Sequence, residues 1–152
     1  CKAALTTFAP RSTCSLANST IKIAFFAARP TSITNPHTIL LDVRSFEEYA
    51  EVGKVPTSLI IPYETNFFSD GTFKTTQITR INYLEEKIYP EDEIILYCET
   101  SMRAAPVFVQ LYEAGYRNIR IYDGAYLEWS SNSDNPVEMP AGQSAPLKKN
   151  AS

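Results

Sequence analysis

The chain has 152 residues, of which 44% are apolar and 20% are charged, as is typical of one globular domain and not of a disordered chain. The net charge of −3 excludes an overall basic field that would attract nucleic acid, and no apolar run approaches the ~20 residues of a membrane span. The three cysteines form no CxxC pair and His37 is the single histidine. We therefore predict no disulfide scaffold, no metal site and no cofactor.

Acidic and basic residues are distributed unevenly along the chain. Asp42 is the first acidic residue, so residues 1–41 carry four basic residues and no acid, whereas the remainder has all 17 acidic residues against ten basic ones. We expect a basic extension over residues 1–30, one folded domain over residues 31–139 and a polar tail over residues 140–152. A basic, acid-free N-terminus is typical of targeting segments and is compatible with the cell envelope, without deciding the compartment.

Four short apolar runs have the length and composition of strands buried in a sheet. They cover residues 38–43, 59–61, 93–97 and 119–122. Residues 66–73 contain the turn signal Ser69-Asp-Gly71 and are expected to form a loop. The segment after Trp129 is rich in Ser, Asn and Pro and is expected to be irregular.

A capping box marks the first helix. Ser45 is followed three residues later by Glu48, which predicts a helix over residues 46–52 that Gly53 ends.

Two longer helices follow from the spacing of apolar residues. The second helix is expected over residues 76–89, because apolar residues recur there at steps of three and four. Its predicted core face comprises Ile78, Ile81, Leu84 and Ile88. The third is expected over residues 103–114, and its predicted core-facing residues are Val107, Phe108 and Leu111. Strands that alternate with helices predict an α/β domain, in which a mostly parallel central sheet carries helices on both faces.

Cys98 lies where such a fold places ligand sites, at the carboxyl end of a predicted buried strand. The following helix begins near Arg103, and both a helix N-terminus and an arginine favour a thiolate over a thiol. Cys98 is therefore a candidate nucleophile that needs no histidine base. A free cysteine at the end of a strand is also often a small buried apolar residue, so its position alone leaves both interpretations open.

Four segments, in order along the chain, resemble the signatures of the rhodanese family. They are Leu41-Asp-Val-Arg-Ser-Phe-Glu-Glu-Tyr49, Gly53-Lys-Val-Pro56, Tyr97-Cys-Glu-Thr-Ser-Met-Arg103 and Tyr122-Asp-Gly-Ala-Tyr-Leu-Glu-Trp129. The resemblance covers about residues 38–139. Within the family, this segment is most similar to the C-terminal rhodanese domain of multi-domain thiosulfate sulfurtransferases. It implies a three-layer rhodanese-like fold and sulfurtransferase activity.

The resemblance also implies roles for the residues of the third segment. Cys98 would take sulfane sulfur from thiosulfate, mercaptopyruvate or a poly- or persulfide, hold it as a persulfide and pass it to a thiol or cyanide. Arg103 would be the second catalytic residue. The active-site loop that binds substrate would comprise Glu99, Thr100, Ser101 and Met102. Implied partners are small sulfur-containing substrates, a sulfur-accepting protein or another rhodanese domain.

Two residues outside the loop would support it. In the resemblance, Asp42 and Arg44 lie next to the site and brace it without reacting. An alternative for Arg44 is an ion pair with Glu48, four residues further along the chain.

Two residues of the loop depart from the family pattern. Ser101 stands where many members have glycine, so a positive φ at this position would strain the backbone. Glu99 places an acid at the mouth of the site, where it opposes a dianionic donor such as thiosulfate. A non-catalytic rhodanese-like binding or regulatory module therefore stays open as an alternative. A phosphatase-like enzyme fits less well, because the spacing from Cys98 to Arg103 is one residue shorter than in related cell-cycle phosphatases.

Overall fold

The computed structural model describes residues 38–143. The expected basic extension, residues 1–30, and the last part of the expected tail, residues 144–152, lie outside the described residues. Within residues 38–143, no helix is long and apolar enough to cross a membrane. In the same range, no group of three or more His, Cys, Asp or Glu side chains is arranged to hold a metal ion.

A sheet of four parallel strands forms the centre of the fold. The strands are β1 (Thr38–Asp42), β2 (Leu59–Ile60), β3 (Glu93–Tyr97) and β4 (Ile119–Ile121), and their order in the sheet is β2-β1-β3-β4. The parallel sheet expected from the sequence is confirmed. β1 and β3 end in register, with Asp42 opposite Tyr97, so the segments that leave these two strands lie side by side.

In the described part of the chain, four α-helices and one 3-10 helix accompany the strands. They are α1 (Phe46–Val52), the 3-10 helix (Tyr63–Asn66), α2 (Thr76–Glu85), α3 (Ala104–Glu113) and α4 (Ala125–Ser131). The predicted capping box is confirmed, because the Ser45 hydroxyl accepts from the Glu48 N–H and the Glu48 carboxylate accepts from the Ser45 N–H. The predicted end of α1 is also confirmed, since Gly53 follows the helix with a φ of 79°.

Apolar side chains cover both faces of the sheet, because successive residues of a strand point to opposite sides. On one face, Leu41 and Leu96 pack with Leu111 of α3 in the larger core cluster. On the other face, Ile95 belongs to a second cluster that includes Trp129 of α4. This arrangement is the expected three-layer α/β fold.

The structure corrects the predicted second helix. The helix ends at Glu85 and not near residue 89, and Lys87 turns the chain with a φ of 61°. Ile81, predicted to face the core, is 54% exposed, whereas Tyr83 is buried. The Tyr83 ring packs edge to face on Tyr116, with 6.1 Å between the centroids. A tyrosine ring buries a large apolar area, so this tertiary contact overrides the helical spacing of the isoleucines.

Two segments are more regular than the sequence indicates. The irregular segment expected after Trp129 begins later, because α4 continues to Ser131. Gly124 precedes α4 and no side chain caps the helix, so the sequence carries no local signal for its start. The predicted loop over residues 66–73 is closed by a bridge between Phe67 and Phe73, whose rings stack at 4.8 Å.

We predict that Gly53→Ala destabilises the domain more than Gly71→Ala. Both glycines have φ near 80°, where an alanine is strained, and the ψ of −172° at Gly53 lies in a region that essentially only glycine adopts, at a cost of about 1–3 kcal/mol for other residues. A Cβ at Gly53 would also lie 2.7 Å from Met139 Sδ and 2.9 Å from the Glu138 carbonyl, whereas nothing lies within 4 Å at Gly71. Urea unfolding should show an additional loss of about 1–3 kcal/mol for Gly53→Ala. Equal losses for the two variants would contradict this account.

Candidate active site

Cys98 follows β3 directly and is 1% exposed, at the start of the loop that leads to α3. Among the described residues, no protein acceptor takes a hydrogen bond from the backbone N–H groups of residues 99–103. Successive N–H groups without protein acceptors are typical of an anion-binding loop. The loop therefore combines a cysteine sulfur with several donors that can hold negative charge.

Backbone hydrogen bonds hold the start of this loop against α4. The Cys98 carbonyl accepts from the Tyr126 N–H at 2.9 Å, and the Glu99 carbonyl accepts from the Leu127 N–H at 3.2 Å. Since α4 was not predicted, this support for the loop was missed by the sequence analysis.

Ser101 fixes the centre of the loop and adopts a φ of 65°. The positive φ considered for this position is therefore present. The Ser101 hydroxyl donates to the Tyr122 carbonyl at 2.7 Å and lies 3.2 Å from the Asp123 carbonyl. These contacts offset part of the backbone strain that a positive φ imposes on serine. A glycine at this position would not be strained.

Asp42 and Arg44 form an ion pair in which both side chains are 0% exposed. Arg44 donates from Nε and Nη2 to the Asp42 carboxylate at 2.7–3.1 Å, and from Nη2 to the Gly53 carbonyl at 2.8 Å. Its guanidinium carbon lies 3.8 Å from the centroid of the Tyr126 ring. Burial lowers the pKa of Arg44, but the hydrogen bonds and charge of Asp42 outweigh burial and raise it. The alternative ion pair with Glu48 is wrong, because Asp42 holds the guanidinium.

Glu48 pairs instead with Arg103, the residue that precedes α3. Arg103 Nη1 donates to Glu48 Oε2 at 2.6 Å, and Nη2 donates to Oε1 at 2.7 Å. These hydrogen bonds lower the pKa of Glu48 to about 2 against the opposing effect of burial, with a further contribution from the Ser45 N–H. Glu48 raises the pKa of Arg103 in turn, and the nearby Cys98 sulfur adds to this rise.

The sequence analysis assigned Glu48 to the helix cap and, as an alternative, to an ion pair with Arg44, and it missed the pairing with Arg103. The two partners of the ion pair are 55 residues apart in the chain, so no local pattern marks the pairing. The capping box was the one available signal, because it fixes Glu48 in the first turn of α1.

The remaining loop side chains are partly or fully open to solvent. Glu99 is 40% exposed, and its Oε2 lies 3.5 Å from Nη1 of Arg44. That nitrogen is buried and has no hydrogen-bond partner in the described residues, and the ion pair joins it to the loop. Thr100 and Met102 are exposed, Met102 at 79%.

Comparison with known proteins places this geometry in a family. A model of the rhodanese-like domain matches residues 31–132. The chain belongs to the rhodanese-like family. The resemblance seen in the sequence is thereby confirmed, as are the α/β fold and the relationship to sulfurtransferases.

Curated relatives of the rhodanese chain include sulfur-handling proteins. Thiosulfate sulfurtransferase YnjE of Escherichia coli is 35% identical over 68 residues, which is 45% of this chain and 16% of YnjE. Sulfur carrier protein TtuD of Thermus thermophilus is 30% identical over 64% of this chain and 40% of its own length. A relative from Schizosaccharomyces pombe is 33% identical over 72% of this chain and 73% of its own length. The chain thus spans less than half of the first two relatives.

Solved structures share the rhodanese fold at low sequence identity. A structure of an EanB variant with ergothioneine, covalently linked with a persulfide, has a TM-score of 0.66 and 21% identity over 72% of this chain and 30% of EanB. At this identity the likeness establishes the fold alone.

We predict that Ser101→Ala is less stable than Ser101→Gly. Both variants lose the hydrogen bonds of the hydroxyl, each worth about 0.5–1.5 kcal/mol. The alanine alone keeps the cost of a φ of 65°. The free energy of unfolding in urea should therefore be about 1 kcal/mol lower for Ser101→Ala than for Ser101→Gly. An alanine variant as stable as the glycine variant would show that the loop is not strained here.

We predict that the ion pair of Glu48 makes the stability of the domain depend on acid pH. The folded-state pKa of Glu48 is depressed from 4.5 to about 2, so the stabilisation is complete above the unfolded-state value and is lost as the pH falls towards 2. The difference in unfolding free energy between the wild type and Glu48→Gln should be constant above about pH 5 and should shrink below it. A difference that stays unchanged on acidification would contradict the pairing with Arg103.

Proposed function

We propose that this rhodanese-like chain is a sulfurtransferase and that Cys98 carries sulfane sulfur as a persulfide. The donor is thiosulfate, mercaptopyruvate or a poly- or persulfide, and the acceptor is a thiol or cyanide. Residues 31–139 form the sulfurtransferase domain in this proposal. The observation that carries the proposal is the position of Cys98 before five backbone N–H groups that have no protein acceptor among the described residues.

The proposed reaction has two displacement steps at sulfur. The Cys98 thiolate attacks the outer sulfur of the donor, the bond between that sulfur and the rest of the donor breaks, and the leaving group departs with the electron pair. The acceptor nucleophile then attacks the outer sulfur of the persulfide and releases the Cys98 thiolate. No oxidant or reductant is consumed. A thiol acceptor becomes a persulfide and cyanide becomes thiocyanate.

The loop supplies the groups that this reaction requires. The N–H groups of residues 99–103 are available to hold the negative charge of the terminal sulfur, and hydrogen bonds to charged groups contribute about 1.5–3 kcal/mol each. Arg103 adds a positive charge whose position Glu48 fixes. Asp42 holds Arg44 in place, and Arg44 braces the loop through its ion pair with Glu99. Family membership supports these roles independently of the geometry.

The names of the relatives indicate the class of partners. YnjE is named a thiosulfate sulfurtransferase and TtuD a sulfur carrier protein, and the EanB structure is described as covalently linked with a persulfide. We therefore include small sulfur-containing substrates, a sulfur-accepting protein and a further rhodanese domain among the proposed partners.

We predict that Cys98 gains one sulfur atom when the protein is incubated with sulfane donors. Mass spectrometry of the peptide that contains Cys98 should show the added sulfur, and a thiol acceptor should remove it. Cys98→Ser should abolish the gain, whereas Cys14→Ser, a matched change outside the described residues, should keep it.

A negative result has a defined meaning. If Cys98 gains no sulfur from thiosulfate, mercaptopyruvate, polysulfide or glutathione persulfide, the sulfurtransferase proposal is wrong. The binding or regulatory module would then be the better account of the chain.

A further inference from the structure

In the described part of the chain, both arginines near the Cys98 loop form ion pairs with carboxylates. Arg44 contacts Asp42 at 2.7 Å and Glu99 at 3.5 Å. Arg103 is bound by both oxygens of Glu48, at 2.6 and 2.7 Å. Two positive charges are therefore accompanied by three negative ones.

This balance has a consequence for the molecules that can approach the sulfur. The formal charges of these five side chains, two arginines and three carboxylates, sum to −1 before the thiolate itself is counted. The backbone N–H groups of the loop offset only part of this charge, since they carry partial charges. A donor with two negative charges is repelled about twice as strongly as a donor with one.

The contacts also separate the roles of the three carboxylates. Asp42 is fully buried and holds Arg44 in place, so its removal would disturb the fold. Glu48 and Glu99 are 31% and 40% exposed, so a change of their charge leaves the core intact. Substitution of either residue therefore changes the charge of the site without removing a buried side chain.

We propose that Glu48 and Glu99 determine donor specificity by cancelling the charges of Arg103 and Arg44. They thereby favour sulfur donors with one negative charge or none, such as organic persulfides, over dianions such as thiosulfate. This inference rests on the proposed function and names the substrate class of the same site. Both residues act through the arginines and the local field, so we describe them as specificity-determining and not as catalytic.

Two alkylating reagents that differ in charge test the electric field at Cys98 without sulfur transfer. Iodoacetate carries one negative charge and iodoacetamide none, and both react with the same thiolate, so the ratio of their rates cancels the degree of thiol ionisation. The rates are measured by mass spectrometry on the peptide that contains Cys98. Glu48→Gln and Glu99→Gln should each raise the ratio of iodoacetate to iodoacetamide rates by about two- to fivefold, the effect of one charge several ångströms away in water-like surroundings.

The variants are chosen to preserve the structure. Glutamine is an accepted residue at the third position of a capping box, so Glu48→Gln keeps α1, and Glu99→Gln keeps the size of an exposed side chain. Glu51→Gln is the matched control, because Glu51 is an exposed residue of α1 and forms no ion pair with either arginine in the described residues. Its rate ratio should stay at the wild-type value.

Two sulfur donors with different charges then test specificity directly. Thiosulfate, a dianion, transfers its outer sulfur with sulfite as the leaving group, and methanethiosulfonate, a monoanion, does so with methanesulfinate. In each case the donor S–S bond breaks and its electron pair leaves with the oxidised sulfur. Glu48→Gln and Glu99→Gln should each raise kcat/KM for thiosulfate relative to methanethiosulfonate by about two- to fivefold. Added salt should reduce this difference between variant and wild type.

The outcomes separate this inference from the proposed function. If both donors load Cys98 but the two ratios in Glu48→Gln and Glu99→Gln equal those of Glu51→Gln, the specificity inference is overturned and the sulfurtransferase stands. If neither donor loads Cys98 in the wild type or in any variant, the donor preference fails together with the proposed function, whatever the alkylation ratio.

Discussion

The buried ion pair between Asp42 and Arg44 connects the parts of the site to the sheet. Asp42 is the last residue of β1, and its carboxylate fixes a guanidinium that also binds the Gly53 carbonyl and packs on Tyr126. The same guanidinium lies 3.5 Å from Glu99 in the loop. The end of α1, the start of α4 and the cysteine loop therefore share one buried charge. Removing one member of such a pair typically costs about 3–5 kcal/mol, because the other is left buried and unpaired.

The register of β1 and β3 explains how this pair reaches the cysteine. Asp42 lies opposite Tyr97 in the parallel ladder, so the residues after each strand emerge beside one another. Ligand sites gather at this edge in parallel sheets because loops from several strands converge there. The site is then completed by α1, which supplies Glu48, and by α4, which binds the loop carbonyls.

Several features of the molecule were predictable because they depend on residues close in the chain. The capping box of Ser45 and Glu48 and the stop at Gly53 defined α1, and the apolar run over residues 93–97 defined β3 with its bounds. Longer-range contacts decided the rest. Tyr83 faces the core in place of Ile81 because Tyr116 packs on it. α4 lacks a capping side chain and depends on its contacts with the sheet.

The sequence by itself determined the α/β class, the family resemblance and the place of Cys98 after a buried strand, because strand periodicity, helix caps and ordered motifs are local properties. It also raised the question of a positive φ at Ser101. Only the tertiary structure decided that Arg44 pairs with Asp42 and that Glu48 pairs with Arg103, since these choices depend on which segments emerge side by side. The electrostatic character of the site is set by those pairings, because the same charges spread along an extended chain would be screened by water.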